Sequence, residues 1–211
     1  MSNFNFRELL ITIPAVLLAL TFHEAAHGFV AWKLGDMTAR DSGRLTLNPF
    51  RHIDLLGMVC MVLLRFGWAK PVPVNPRNFR HPRRDMALVA AAGPLTNVLL
   101  AFLCVLLYYI LAVYCPTSAF ASAMGTFFVV LAALSAGFAV FNLIPLPPLD
   151  GSRILNVFLP PKWTYCLARY ERYIQLALIL LLWTGVLSTP LAVARGYLLG
   201  GIESLVRWII L

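Results

Sequence analysis

The chain has 211 residues, of which 60% are hydrophobic and only 12% charged, against roughly 25% charged in ordinary soluble domains. That balance excludes a soluble globular domain and points to an all-α polytopic membrane protein, a bundle of about four to six transmembrane helices with a short re-entrant or extended segment. The net charge of +8 would suit a nucleic-acid binder, yet ten of the 17 Lys and Arg residues fall between Lys33 and Arg84 and none between Cys115 and Ser122. Such asymmetry is the positive-inside signature: it places the 33–84 region on the cytoplasmic side and explains the basicity without nucleic acid.

In chain order, the first predicted helix runs from about Arg7 to Leu34, long enough to span the bilayer, with Pro14 a possible kink. Met1 to Arg7 carries one cation, and the apolar stretch after it lacks a small-residue cleavage pattern, so this helix is expected to stay in the mature protein with its N-terminus outward. Residues 35–52 are polar and turn-rich. Ile53 to Leu64 is apolar but short for a span, which reads as a re-entrant or shallow helix. The run Gly-Trp-Ala-Lys-Pro-Val-Pro-Val-Asn-Pro at 67–76 has three prolines at near-alternate positions, which forbids helix and leaves an extended, edge-like segment or an ordinary loop.

The next apolar stretch, Met86 to Tyr114, is expected to be interrupted at Gly93-Pro94, with Asn97 one turn later able to satisfy freed backbone groups or face a polar cavity. After a charge-free turn, Ala123 to Leu143 returns to the cytoplasmic side. Pro145, Pro147 and Pro148 then hold the backbone irregular while its side chains stay apolar. At membrane depth this is tolerated only where protein buries it or it lines a watery cavity. Asp150 is thus aimed into such a cavity, or caps a helix beginning near Ser152. Pro161 to Arg172 is amphipathic and cationic, as at an interface, and Ile174–Leu187 with Ile202–Leu211 form one or two further spans, with Gly200, Gly201 and Glu203 between. Without repeats or linkers the chain reads as one membrane-embedded domain, residues 1–211, with a core at 7–155 and C-terminal helices at 161–211. Cys60, Cys104, Cys115 and Cys166 are scattered without a Cys-x-x-Cys pair, and three lie in or beside apolar runs, as small buried hydrophobes do.

One segment stands apart: His-Glu-Ala-Ala-His at 23–27, inside the first span. On a helix His23 and His27 share a face, which suits two imidazoles on one Zn²⁺, and Glu24 beside them can take a proton from a metal-bound water. A lone histidine on an apolar helix is usually a satisfied core residue. Three ionisable groups within five residues of a membrane segment are another matter, since each charge there costs about 2.5–3.5 kcal/mol on insertion scales. From His27 to Lys33 is six residues, so the metal should sit roughly 10 Å below the cytoplasmic surface, reached by water from that side. A catalytic zinc has three protein ligands and one open position. Asp54, Asp85, Asp150, Glu171 and Glu203 are candidates for the third. All but Asp150 lie beside basic residues, at interfaces or in the uncertain terminal segment, which makes Asp150 the best candidate.

Three segments, His-Glu-Ala-Ala-His at 23–27, Gly-Pro-Leu-Thr-Asn at 93–97 and Asn-Leu-Ile-Pro-Leu-Pro-Pro-Leu-Asp-Gly at 142–151, resemble the signatures of the site-2 protease family, intramembrane zinc metalloproteases that cut membrane-embedded segments of other proteins. The stretch from Asn48-Pro49 to Asp54 and the 67–76 run resemble its compact, mostly prokaryotic branch, which lacks an inserted peptide-binding domain. The resemblance covers roughly 15–155. It implies one Zn²⁺ per chain on His23, His27 and Asp150, with Glu24 as general base and then proton donor to the leaving amine. It also implies an oxyanion or substrate contact from Asn142, and a similar, weaker role for Asn97. The expected partners are a membrane protein with a transmembrane segment, and the bilayer; the active site should open toward the cytoplasm of the cell membrane. A helical substrate has to unwind before attack, and the extended edge at Val72 and Val74 is expected to pair with the unwound strand. Two other classes compete. A membrane metal-ion transporter would also use intramembrane His and carboxylate groups but has no need of Glu24 between them, and a catalytically silent helix-binding scaffold has no need of Glu24 at all.

Overall fold

The computed structural model describes residues 6–54, 57 and 70–210, and among them the chain forms seven α-helices and no extended sheet. Helix α1, Phe6–Lys33, contains Pro14 without ending there. It stops at Gly35, whose φ of +106° is the left-handed conformation that glycine adopts without a Cβ penalty. Asp36 N donates to Ala31 O at 2.9 Å and Gly35 N to Trp32 O at 3.1 Å, the paired bonds of a Schellman terminus. The chain then makes the four-residue α2, Thr38–Asp41, and a 3₁₀ turn at Pro49–Arg51. The expected shallow helix over Ile53–Leu64 and the first residues of the 67–76 run lie mostly outside the described residues. From Lys70 to Asn75 the chain lies outside regular secondary structure, with Asn75 extended before a 3₁₀ turn at Pro76–Asn78, and the prolines exclude helix there.

Helix α3, Pro82–Tyr114, starts with proline at its first position, where the missing N–H is no loss. Asp85 Oδ2 accepts from His81 N at 2.9 Å and closes that end. The helix is continuous through Pro94, correcting the expected interruption. A proline disfavours helix in the residue before it partly through that residue's Cβ, and here that residue is Gly93, which has none. Helix α4, Ala119–Asn142, is capped by Ser118, and α5, Asp150–Leu155, begins at Asp150 rather than near Ser152. A Cβ on Gly151 would collide with the carbonyl oxygens of Leu143 and Ile144, so the irregular 143–149 segment folds directly over the start of α5. Arg83 ties this corner to α3, its Nη2 donating to Asn156 O at 2.7 Å and Leu159 O at 2.6 Å.

Helices α6, Pro161–Trp183, and α7, Ser188–Ile210, meet at a bend of 84°. Gly200, Gly201 and Glu203 lie inside α7 rather than between two spans. Each glycine weakens a helix by about 1 kcal/mol relative to alanine, but burial of Ile202 and Val206 anchors this stretch against the core. That core gathers Ala15 and Ala19 of α1, Ala101, Cys104 and Val105 of α3, Leu131, Ala132 and Ala136 of α4, and the two α7 residues. Small side chains at these contacts let the backbones approach closely. By length and composition α1, α3 and α4 can cross a membrane, with a fourth span if the bent α6–α7 pair is one, at the low end of the expected four to six. The chain is an all-α polytopic membrane protein.

Candidate metal centre

Three helices deliver the site. His23 and His27, one turn apart on α1, are both buried. The fold of 143–149 brings Asp150, at the first position of α5, over them: its Oδ2 lies 3.1 Å from His23 Nε2 and 3.3 Å from His27 Nε2, and the two ring nitrogens are 3.0 Å apart. Among the described residues these three side chains form the group of His, Cys, Asp and Glu that can hold a metal ion. Tetrahedral ligands at zinc–nitrogen distances of about 2.0–2.1 Å stand roughly 3.3 Å from one another, close to the edges of this triangle. Asp150 Oδ2 is buried and, despite its nearness to both rings, is aligned for a hydrogen bond with neither. An oxygen so placed suits a cation at the centre of the triangle, and two imidazoles with one carboxylate are a zinc donor set.

Helix α3 holds the rings from behind. Val89, Gly93 and Asn97 are spaced four apart, so they stack on one face. Val89 O lies 2.7 Å from His27 Nδ1, and Asn97 Nδ2 lies 3.2 Å from His23 Nδ1. Both Nδ1 atoms therefore have partners on α3, and both Nε2 atoms face Asp150. Gly93 sits between, where a Cβ would come within 2.5 Å of His23 Cε1 and 2.6 Å of His27 Cε1. The Gly-Pro pair thus serves close approach: the glycine makes room for two rings and lets the helix continue into proline.

Glu24, on the flank of α1, accepts a hydrogen bond from Val72 N at 2.8 Å on Oε2. The side chain of Val72 is buried over Gly28, one turn on, where a Cβ would stand 3.2 Å from Val72 Cγ1. The non-helical 70–75 segment is therefore a strap held against α1 at Glu24 and Gly28. Pro71 and Pro73 have no N–H, and the Val72 N–H is spent on Glu24. Asn142, at the end of α4, turns its amide back to its own helix, Nδ2 donating to Phe138 O at 3.0 Å.

The residue that sequence reasoning passed over is Asp36. It is fully buried at the Schellman terminus of α1 and accepts from Asn75 N at 2.7 Å, Asn78 Nδ2 at 2.7 Å, Thr38 N at 3.1 Å and Thr38 Oγ1 at 2.5 Å. It ties the far end of the strap to the end of α1, while Arg44 holds the near end through Lys70 O at 2.7 Å and Pro71 O at 3.1 Å. The Gly-Asp pair after an apolar helix marked a turn, and nothing local marked the partner 39 residues on. Of the other candidate carboxylates, Asp85 caps α3, Asp54 accepts from Gly57 N at 2.9 Å, and Glu203 pairs with Arg207 at 3.6 Å on α7.

The sequence profile of peptidase family M50 matches residues 109–184. YwhC of Bacillus subtilis is 40% identical over 163 residues, covering 76% of this chain and 74% of the relative. Rip2 of Mycolicibacterium smegmatis is 31% identical over 183 residues, 85% and 69% of the two chains, and MJ0611 of Methanocaldococcus jannaschii is 28% identical over 154 residues, 73% of each. All three bear names that provisionally assign them to the zinc metalloproteases. No solved structure gives a match. With its identity to YwhC extending over most of both proteins, this chain belongs to peptidase family M50, the site-2 protease family.

Proposed function

We propose that the chain is an intramembrane endopeptidase that holds one zinc ion on His23, His27 and Asp150 and cuts membrane proteins in or near a transmembrane segment, with its site opening toward the cytoplasm. The observation that carries this is the triangle of 3.0, 3.1 and 3.3 Å between the two Nε2 atoms and Asp150 Oδ2, with Glu24 on the same helix. When bound, zinc supplies a Lewis acid and a water acidified to a pKa of about 7. Glu24 takes the proton from the attacking water and hands it to the leaving amine. The Val72 N–H fixes its Oε2, which leaves Oε1 to carry that proton.

The cytoplasmic opening follows from charge. His27 lies six residues before Lys33, and the basic 33–84 region beyond it belongs inside under the positive-inside rule. The substrate has to present an unwound stretch, because intrahelical hydrogen bonds occupy its carbonyls. The strap offers that stretch less than a full strand edge would. Its remaining donor is Val74 N–H, which has no backbone acceptor among the described residues, alongside the carbonyls of Val72 and Val74. One Nδ2 proton of Asn142 is spent on Phe138 O, so a contact to substrate falls to its second proton or to Oδ1.

The test compares the purified full chain with Glu24→Gln for zinc content and for cleavage of a panel of single-span membrane proteins. Both should bind one zinc, and the variant should cleave roughly 10²–10⁴-fold more slowly. Equal cleavage by the two would remove Glu24 from the chemistry. Zinc flux in proteoliposomes with no cleavage by either would make the site a transport site instead.

A further inference from the structure

Taking His23, His27 and Asp150 as the zinc site proposed above, we infer that Asn97 is a positioning residue that sets the tautomer of His23, presenting its amide oxygen to the ring's Nδ1–H when zinc is bound. The reasoning starts from the ring. His23 Nε2 is the atom that faces Asp150 Oδ2 and His27 Nε2, at 3.1 and 3.0 Å, so Nε2 is the ligand atom. A neutral imidazole has one proton. With the Nε2 lone pair on the metal, that proton sits on Nδ1, which then needs an acceptor.

For His27 the acceptor is unambiguous. Val89 O stands 2.7 Å from Nδ1, and a carbonyl can only accept. For His23 the neighbour is the Asn97 amide, whose Nδ2 is 3.2 Å from Nδ1. That orientation suits the opposite tautomer, in which Nε2 holds the proton and Nδ1 accepts. In the ligand tautomer it would set two donors against each other. Asn97 is fully buried, and its Oδ1 has no hydrogen-bond partner. The nitrogen and oxygen of an amide are nearly the same size, and a half-turn exchanges them within the same volume. After that half-turn Oδ1 occupies the place of Nδ2 and receives the Nδ1–H.

The two rings then match: each Nδ1 donates to an oxygen on α3, one turn to either side of Gly93. Such bonds fix ring orientation and raise ligand basicity. Asparagine has a property here that neither aspartate nor an apolar residue shares, since it can meet either tautomer of His23 from one position. The ring is therefore held in place both before and after the metal arrives, and loading requires only a proton relocated from Nε2 to Nδ1 and a rotated amide.

The experiment measures zinc affinity of the full-length protein in detergent, stripped of metal and titrated against a competing chelator dye. Asn97→Leu keeps the volume and removes the acceptor. Asn97→Ala only removes atoms and carries the test if the leucine variant misfolds. Asn97→Asp keeps an oxygen. The leucine and alanine variants should bind zinc roughly 10–100-fold more weakly, and the aspartate variant at least as tightly as the unmodified protein. Unchanged affinity on losing the acceptor would overturn the inference, as would an aspartate variant as weak as leucine, because only packing would then be at stake. An unmodified protein that binds no zinc would instead sink the metal site itself, and this role with it.

Discussion

Gly93 and Gly200 show how differently two parts of this molecule use the same residue. Around Gly93, α1, α3 and the start of α5 meet so closely that a single added methyl group would strike both histidine rings. Around Gly200, midway along α7, there is nothing within 4 Å of the same methyl group, and the preceding α6 buries Leu178 alone. The first region is a constellation whose ligands are fixed by neighbours that are themselves fixed, as a preorganised site requires. The second has one face on the core, through Ile202 and Val206, and otherwise exposes large apolar side chains such as Tyr197, Leu205 and Trp208. Position inside a helix is common to both, so the contrast comes from what stands opposite each glycine.

The strongest way to break that contrast is Gly93→Ala. The added Cβ would lie 2.5–2.6 Å from ring atoms of both histidines, and neither ring can retreat without leaving Val89 O or Asn97. Overpacking of this kind costs about 1–3 kcal/mol. Ring displacement should also weaken zinc binding by roughly an order of magnitude or more, as loss of ring-orienting contacts does. Thermal melting and a zinc titration on the same preparation check both. A variant that melts and binds zinc as the unmodified protein does would show that the rings have slack, and the claim of a closely built site would fall.

Next in size is Asp36→Ala, which tests whether rigidity extends from the ligands to the strap. Burial alone would raise the Asp36 pKa, but the bonds from Thr38, Asn75 and Asn78 outweigh it and hold the carboxyl below its ordinary value of 3.8. A buried, charged acceptor of this kind is worth about 2–3 kcal/mol. Because the folded pKa is the lower one, this stability is fully present above about pH 4 and fades as pH falls through the folded value. The melting gap between the unmodified protein and Asp36→Ala should therefore be constant near neutrality and shrink below pH 4. Cleavage should fall with zinc content unchanged, since the strap carries the Val72 N–H that orients Glu24 and, among the described residues, makes no hydrogen bond to His23, His27 or Asp150. Loss of zinc in this variant would mean that strap and metal centre are one unit.

The sequence was most legible where chemistry and periodicity coincide. Positions 23, 24 and 27 carry metal-site residue types at helical spacing, and Asp150 was the best third candidate because the others lie beside basic residues, at interfaces or in the uncertain terminal segment; the structure brings His23, His27 and Asp150 together. Prolines at 71, 73 and 76 forbade helix, and residues 70–75 are non-helical in the structure. Two features misled. Gly93-Pro94 reads as a break because proline is normally a helix breaker, whereas the glycine before it removes the Cβ through which the break is partly enforced. Gly200-Gly201 reads as a gap because glycine lowers helix propensity, which tertiary packing through Ile202 and Val206 overrides. The histidine–α3 contacts and the Asp36 knot were invisible for another reason. They join residues 62, 74, 39 and 42 positions apart, and no local pattern specifies which distant amide or carbonyl meets a given side chain.

The smallest effect belongs to Gly200→Ala, and its sign is the informative part. With nothing within 4 Å of the new methyl group, the change should leave packing untouched and remove only the conformational freedom that glycine gives the unfolded chain. Alanine in a helix interior is favoured over glycine by about 0.8–1.0 kcal/mol, so the variant should melt slightly higher, with zinc content and cleavage unaltered. Gly196→Ala, equally open, should behave in the same way and add to it. A drop in cleavage with unchanged melting would contradict the division drawn between the two regions, because a methyl group that meets nothing within the chain would then be acting on the encounter with substrate. That result would make the open face of α7 part of the catalytic cycle, and rigidity around His23, His27 and Asp150 would no longer account for function by itself.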